Sequence, residues 1–207
     1  PPPAPPRAAP SPPPPAPPAP PAEPEDPGMT KEQLDEQKRH ELGKELTNAA
    51  NNGRTGEVTR LLAAGAEVDY HWNGDLWTPL HNVIMHRTGD YMAVLKILLS
   101  ARADPDKKDN RGRSPLTHAA QVGDADIIHE LMNQGVHVDV DHVDPGGATP
   151  LVHASQHLHH DAVELLLKHG ADSSHPAAQN HVDNHDDEKL NKLFGRAPKK
   201  LTPTAEL

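Results

Sequence analysis

A short helix with a marked beginning is encoded by Gly112-Arg113-Ser114-Pro115-Leu116-Thr117-His118-Ala119-Ala120-Gln121-Val122-Gly123. Serine caps helix N-termini by accepting a backbone hydrogen bond, so Ser114 is a suitable N-cap. Proline is tolerated in the first helical position because no partner is needed for its missing N–H. The stretch therefore predicts a helix that begins at Pro115.

The same start recurs along the chain. Thr78-Pro79-Leu80, Ser114-Pro115-Leu116 and Thr149-Pro150-Leu151 lie 36 and 35 residues apart. Each is followed by a short apolar helix, a polar turn, a second apolar helix and a stop resembling Gly-Ala-Asp. Glycine at such a stop supplies the left-handed backbone that ends a helix. Equivalent stops begin at Gly65, Arg102, Gly135 and Gly170. Self-similarity at this period predicts a stack of repeated units that share one thin core.

The repeated unit resembles the ankyrin repeat, whose pattern GxTPLHxAAxxG and VxxLLxxGADxx recurs about every 33 residues. The resemblance implies an all-α solenoid of stacked helix-turn-helix units with β-hairpin-like fingers. We expect this domain over residues 43–175, with units at about 43–72, 73–108, 109–143 and 144–175. The first unit has polar residues in place of TPLH, and the fourth has Val152 and Leu158 at family positions for His and Gly. Both are therefore expected to be divergent terminal caps.

Two polar flanks surround this domain. Sixteen of the 24 prolines lie in residues 1–27, so residues 1–28 are expected to form a disordered Pro/Ala-rich arm. Residues 2–7 fit the PxxPx+ pattern of SH3 ligands, although any arm this rich in proline matches that pattern by chance and a spacer is the simpler interpretation. Thr30 and Gln33 have capping-box spacing and predict a helix over 29–42. Residues 176–207 read as a polar tail with a short helix at 186–194. Three explanations stay open for the initial proline: processing, a fragment, or a natural start at Met29.

Composition narrows the possible functions. The chain has no cysteine, which excludes disulfides and thiolate chemistry. Its formal charge of −10 argues against non-specific nucleic-acid binding, and no apolar run is long enough for a membrane span. A phosphate-cradling glycine loop is also lacking. We therefore expect no enzymatic activity, no cofactor and a cytoplasmic location.

The resemblance implies protein binding through the finger tips and the inner faces of the first helices. Trp72 is the most promising anchor, because exposed tryptophan is enriched in binding hot spots. Trp77 could instead pack between fingers, and the basic second finger could simply be solvated. The candidate contact residues are Tyr70, His71, Trp72, Asn73, Asp75, Trp77, Lys107, Lys108, Arg111, Arg113 and His142.

Two other functions stay open. The array could be a regulatory portion of a larger enzyme or ubiquitin-ligase assembly. Alternatively, the histidine-rich region could sense metal or pH, since His153 and His157 are four residues apart on a predicted helix, near His160 and Asp161. Surface histidines are the simpler interpretation, and no native metal site is expected.

Overall fold

A computed structural model describes residues 29–71, 74–133, 135, 137–184 and 187–195. Within these ranges the chain forms ten α-helices and no strand. The helices are α1 (Lys31–Asn51), α2 (Thr55–Ala63), α3 (Pro79–His86), α4 (Tyr91–Ser100), α5 (Pro115–Val122), α6 (Ala125–Met132), α7 (Pro150–Gln156), α8 (His160–Lys168), α9 (Pro176–Asn184) and α10 (Glu188–Leu193).

The helices stack in two rows. The odd-numbered helices α1, α3, α5, α7 and α9 each contact the next and form the inner row. The even-numbered helices α2 to α10 form the outer row in the same way. Each of the first four odd helices also packs against the helix that follows it. This arrangement confirms the predicted all-α solenoid.

The three helices that follow a Thr/Ser-Pro-Leu motif begin as the sequence predicts. Thr78, Ser114 and Thr149 are extended N-caps whose hydroxyls accept the N–H of the third helical residue at 3.2 to 3.4 Å. All three caps are buried, so each satisfies a backbone donor that water cannot reach. The next residue is proline in each case.

The core is a thin layer of aliphatic side chains between the two rows. Its repeating element is the leucine of the inner helices, and Leu46, Leu80, Leu116 and Leu151 are each 0% exposed. Small residues beside them, such as Ala119, let neighbouring helices approach closely. No unit could bury its row of apolar side chains alone, so stability arises from contact between units.

The prediction that the N-terminal helix ends at residue 42 is wrong. Helix α1 continues without a break through Gly43 to Asn51, giving 21 residues. Gly43 is buried in mid-helix because the ring of Tyr70 lies against it, and a Cβ there would collide with that ring. Glycine in a helix costs about 1 kcal/mol relative to alanine, and here the close packing offsets that cost. The predicted helix and the first helix of the first unit are therefore one element.

The second unit has extra residues around Arg87, Thr88 and Gly89, and they do not lengthen its first helix. Helix α3 has eight residues, as α5 does, and its C-cap is Arg87, whose backbone is left-handed (φ 48°). The additional residues form a loop in which the Thr88 hydroxyl donates to the Asn51 carbonyl. The insertion thus joins two neighbouring units at their turns.

The C-terminal region contains more structure than the sequence predicted. Helix α9, which was not expected, buries Ala178 and Val182 and packs on α7. The predicted helix at 186–194 is α10, which spans Glu188–Leu193 and buries Leu190 beside α8. The fourth unit is therefore followed by a further pair of helices. The polar composition hid α9 because two apolar residues four positions apart suffice to cover the end of the stack.

Candidate functional site

Three loops stand side by side along the inner row of helices. We call them the first finger (67–77), the second finger (104–113) and the third finger (139–148). The second finger is joined to the first by Asn110, whose backbone N–H donates to the Asp75 carbonyl at 2.9 Å and whose side chain donates to the Gly74 carbonyl at 2.9 Å. The third is joined to the second by His142, whose Nε2 lies 2.6 Å from the Gly112 carbonyl oxygen. The fingers therefore form a continuous hydrogen-bonded row.

A buried aspartate closes the second finger on itself. One oxygen of Asp109 accepts the N–H groups of Arg111 and Arg113 at 2.9 and 2.8 Å, and the other lies 2.9 Å from Nε2 of His118 on α5. The carboxylate thus links the loop to the helix that follows it.

The third finger repeats this arrangement with Asp144. One of its oxygens accepts the N–H groups of Gly146 and Ala148 at 2.9 Å, and the other lies 2.9 Å from Nε2 of His153 on α7. At the corresponding positions of the first finger the sequence has Asn73 and Asn82. The second and third fingers consequently share an aspartate–histidine pair, and the sequence of the first unit has no such pair at these positions.

The electrostatics of these anchors favour one protonation pattern. Burial alone would raise the pKa of Asp109, but backbone N–H donors and His118 outweigh it and hold that pKa below its usual value. Burial lowers the pKa of His118, although its bond to Asp109 opposes the shift. A neutral imidazole donating to a charged carboxylate is therefore the stable state near neutral pH.

A second buried histidine connects α3 with the second finger. The Nδ1 atom of His81 accepts the Thr78 backbone N–H at 3.3 Å, and its Nε2 lies 3.4 Å from the Arg113 carbonyl oxygen. Burial, followed by the proximity of His118, lowers the pKa of His81 to about 4. The ring is therefore neutral and acts as a two-ended hydrogen-bonding group between adjacent units.

A cleft of about 300 Å³ opens between the first and second fingers, in front of α3 and α5. Trp77 and Met85 provide its apolar surface, and Arg111 provides an exposed cation at its rim. Its lining residues are Asp75, Trp77, Met85, Asn110, Arg111, Arg113, His118 and Gln121. A second groove of about 510 Å³ lies between the second and third fingers and shares Arg111 with the first. The two depressions together form a shallow track across the fingers.

The structure places four of the six predicted residues of the first finger. Tyr70 is half-buried, and its hydroxyl bonds His40 of α1, so it anchors the finger. His71 and Asp75 are exposed. Trp77 is half-buried, with its ring 5.7 Å from that of His118 in an edge-on arrangement, so it packs and lines the cleft at once. The other two candidates, Trp72 and Asn73, lie outside the described residues.

The second and third fingers divide the remaining candidates into two groups. Lys107, Lys108 and Arg111 are exposed. The side chain of Arg113 is only 13% exposed, with Nε 3.8 Å from an Asp109 oxygen and a guanidinium N–H donated to Gln121 at 3.0 Å. The ring of His142 is 11% exposed. Arg113 thus ties the second finger to α5 and His142 ties the third finger to the second, and their predicted contact with a partner stays a prediction.

Four cleft residues escaped the sequence analysis: Met85, Asn110, His118 and Gln121. Met85 and Gln121 lie near the ends of α3 and α5, and their orientation toward the fingers follows from the stacking. Asn110 could have been suspected, because it lies between the basic residues of a predicted tip. The position of Asn110 within the repeat could have indicated its role, because a residue at that position of a finger faces the neighbouring finger.

The histidine-rich region does not assemble the suggested metal ligands. Helix α7 ends at Gln156, and the ring of its C-cap residue His157 stacks with that of His159. His153 is hydrogen-bonded to Asp144, while His160 lies 2.9 Å from Asp187. Among the described residues no cluster of three His, Asp or Glu side chains has an arrangement that could hold a metal ion.

None of the described helices combines sufficient length with sufficient apolar character to cross a bilayer.

Comparison with known proteins identifies the repeat. Residues 83–177 match the family model for ankyrin repeats, three copies. Over 78 residues, 38% of this chain, it is 33% identical to the human 2-5A-dependent ribonuclease, of which the match covers 10%. Over 120 residues, 58% of this chain, it is 33% identical to a Rickettsia felis protein described as an ankyrin repeat protein, of which the match covers 38%. The chain thus spans less than half the length of these relatives, and its capped helices, stacked fingers and matched segment agree in identifying residues 83–177 as ankyrin repeats.

Proposed function

We propose that this chain is a non-enzymatic scaffold that binds a protein partner through its fingers and the inner helices beside them. The observation that carries the proposal is the row of mutually hydrogen-bonded fingers, which presents exposed side chains next to a cleft. Ankyrin repeats are in general protein-interaction modules, which supports this class of function.

Rigidity is the first physical argument. A binding loop that is already ordered loses little conformational entropy when its partner arrives. The carboxylates of Asp109 and Asp144 each accept two backbone N–H groups within their own finger and bond a histidine of the next helix. These bonds hold the second and third fingers in one shape before binding.

Charge is the second argument. The chain has a formal charge of −10, yet Lys107, Lys108 and Arg111 place three exposed cations on one finger. A partner with an acidic patch would be steered to this finger, and such rim charges act mainly on the association rate. We therefore propose an acidic surface on the partner.

The experiment is affinity capture from the native source, identification by mass spectrometry, and calorimetric titration with the purified partner. Lys108→Glu and Trp72→Ala are expected to weaken binding without changing the far-ultraviolet circular dichroism. Lys168→Glu makes the same charge change on the exposed surface of α8, in the outer row, and serves as the matched control. Full binding by both finger variants would show that the partner uses another surface.

A second candidate function is supported by one of the relatives. That relative is named a 2-5A-dependent ribonuclease, and the match covers only 10% of it. We propose as the alternative that this array is the regulatory portion of a larger enzyme. Sequencing the complete transcript discriminates the two, because the alternative requires a catalytic domain in the same reading frame. A reading frame without such a domain would eliminate it.

A further inference from the structure

The first finger carries a leucine where the other two fingers carry glycine. Leu76, Gly112 and Gly147 each stand two residues before a helix N-cap, and their φ angles are 55°, 68° and 79°. Glycine adopts this left-handed backbone readily, whereas a residue with a Cβ is brought too close to its own carbonyl oxygen. The finger therefore holds a side chain in a conformation that glycine would take without strain.

This strain is not offset by burial of the leucine. Leu76 is 40% exposed, so much of its apolar surface faces water. Glycine would serve the fold at least as well at this position, which means that the side chain is of little use to folding. Strained residues of this kind are often found at binding sites.

Strain and exposure alone do not define a site, because Leu158 shows both. It lies between α7 and α8, has φ 56° and is also 40% exposed. Leu76 differs in its surroundings: both of its chain neighbours, Asp75 and Trp77, line the cleft of about 300 Å³ between the first and second fingers. The exposed leucine thus stands at the edge of a concave surface.

The chemistry of this cleft is graded from one side to the other. Trp77 and Met85 give the side of the first finger and α3 its apolar surface, beside the carboxylate of Asp75, and the exposed Leu76 stands at the edge of this side. On the opposite side Arg111 is exposed, and it belongs to the finger that carries Lys107 and Lys108. A guanidinium binds a carboxylate with two parallel hydrogen bonds, which gives this side a preference for acidic groups.

We propose that Leu76 and the adjoining cleft form the docking site for an extended peptide segment of a partner protein, one in which an apolar side chain lies close to an acidic side chain. The inference rests on the proposed binding function and specifies its ligand. The apolar side chain would pack on Leu76 and Trp77, and the carboxylate would reach Arg111. A cleft of this volume holds one or two side chains rather than a folded domain, which is why an extended segment fits.

The test begins with selection of a phage-displayed library of random 12-residue peptides on the full chain. Enriched peptides are synthesised with a fluorescent label, and their affinity is measured by fluorescence anisotropy. We expect enriched peptides to carry a large apolar residue within three positions of Asp or Glu. Leu76→Gly should weaken their binding by at least about tenfold, as expected for loss of a hot-spot contact. The same substitution should leave the melting temperature unchanged or raise it by about 2 to 4 °C, because it relieves strain.

The matched control is Leu158→Gly, which removes an equally exposed leucine from an equally left-handed position. It should affect the melting temperature in the same direction and leave peptide affinity unchanged. Arg111→Glu should weaken the acidic peptide, and an Asp→Asn change in the peptide should remove that dependence. These two results together would locate the carboxylate at the second finger.

Several outcomes would overturn the proposal. One is equal peptide affinity for wild type and Leu76→Gly, and another is enrichment of peptides without acidic residues. A tenfold gain of affinity on deletion of residues 1–28 would assign the cleft to the chain's own arm, which contains Glu23, Glu25 and Asp26. Dimerisation in sedimentation experiments that is lost in Leu76→Gly would assign it to a second copy. If the natural partner binds Leu76→Gly fully but is weakened by Lys108→Glu, this inference fails while the proposed function stands.

Discussion

Replacing His81 by glutamine should flatten the pH dependence of the stability of this protein. Thr78 and His81 form a capping box in which the imidazole Nδ1 accepts the backbone N–H of the cap. The same chain provides a glutamine version, since Oε1 of Gln33 accepts the Thr30 backbone N–H at 2.8 Å. His81→Gln can therefore keep the cap while removing the titrating group. It loses the weak contact of His81 Nε2 with the Arg113 carbonyl, which should lower stability at pH 7.5 by about 1 kcal/mol.

The magnitude follows from the pKa of His81, which burial lowers from 6.5 to about 4. Between these two values the unfolded chain binds a proton that the folded protein excludes, so the free energy of unfolding falls as the pH falls. The linkage relation gives a loss of about 2 kcal/mol from this residue between pH 7.5 and pH 5. Burial also lowers the pKa of His118, so the wild-type protein should lose more than this in total.

The assay is urea unfolding monitored by circular dichroism at pH 7.5, 6.5, 5.5 and 5.0. Between pH 7.5 and pH 5.0 the free energy of unfolding should fall by about 2 kcal/mol less in His81→Gln than in wild type. His71→Gln is the control, because this exposed histidine makes only a 3.4 Å contact with a backbone carbonyl. Equal slopes for wild type and His81→Gln would refute the assignment of a buried, neutral imidazole at the junction of the two units.

Three further predictions concern stability and are checked by chemical denaturation at neutral pH. Leu131→Ala should cost about 2 to 5 kcal/mol, because this side chain is 0% exposed in the shared core; an unchanged midpoint would contradict the packing. Arg102→Gly should stabilise the protein by about 0.5 to 1 kcal/mol, since Arg102 is left-handed (φ 66°) where other units have a glycine such as Gly65; the relief of about 1 to 2 kcal/mol of strain exceeds the added freedom of the unfolded chain. A lower stability would mean that the arginine makes compensating contacts. Asp109→Asn should destabilise by about 1 to 3 kcal/mol, because the amide can replace the acceptor of the finger N–H groups but presents a donor to Nε2 of His118; wild-type stability would show that this bond contributes nothing.

The repeat could be predicted from the sequence because the motifs that start its helices act locally. A hydroxyl cap followed by proline, as at Thr149 and Pro150, favours a helix start whatever surrounds it, and all three such starts were correctly placed. The spacing of these starts then implied stacking, since short amphipathic helices cannot bury their apolar faces alone. The fold followed from those two features, and the expected class of function followed from the resemblance to ankyrin repeats.

Local signals misled where packing overrode them. Gly43 indicated the end of a helix, but the ring of Tyr70 occupies the space that a side chain would need, so glycine serves a close contact inside α1. The polar composition after residue 176 indicated a polar tail with one short helix at 186–194, yet Ala178 and Val182 are enough to bury a further helix, α9, on α7. Both errors concern contacts between segments far apart in the sequence.

Some features of the candidate site could likewise be predicted from local sequence, while others depend on contacts between distant segments. Sequence alone located the fingers and the basic residues Lys107, Lys108 and Arg111, because a repeat fixes which positions lie at its tips. Only the tertiary structure distinguished Arg111, which is exposed at a cleft, from Arg113, whose side chain is tied to Asp109 and Gln121. The physical reason is that residue identity fixes the charge of both arginines, whereas their exposure depends on which neighbouring finger and helix each one meets.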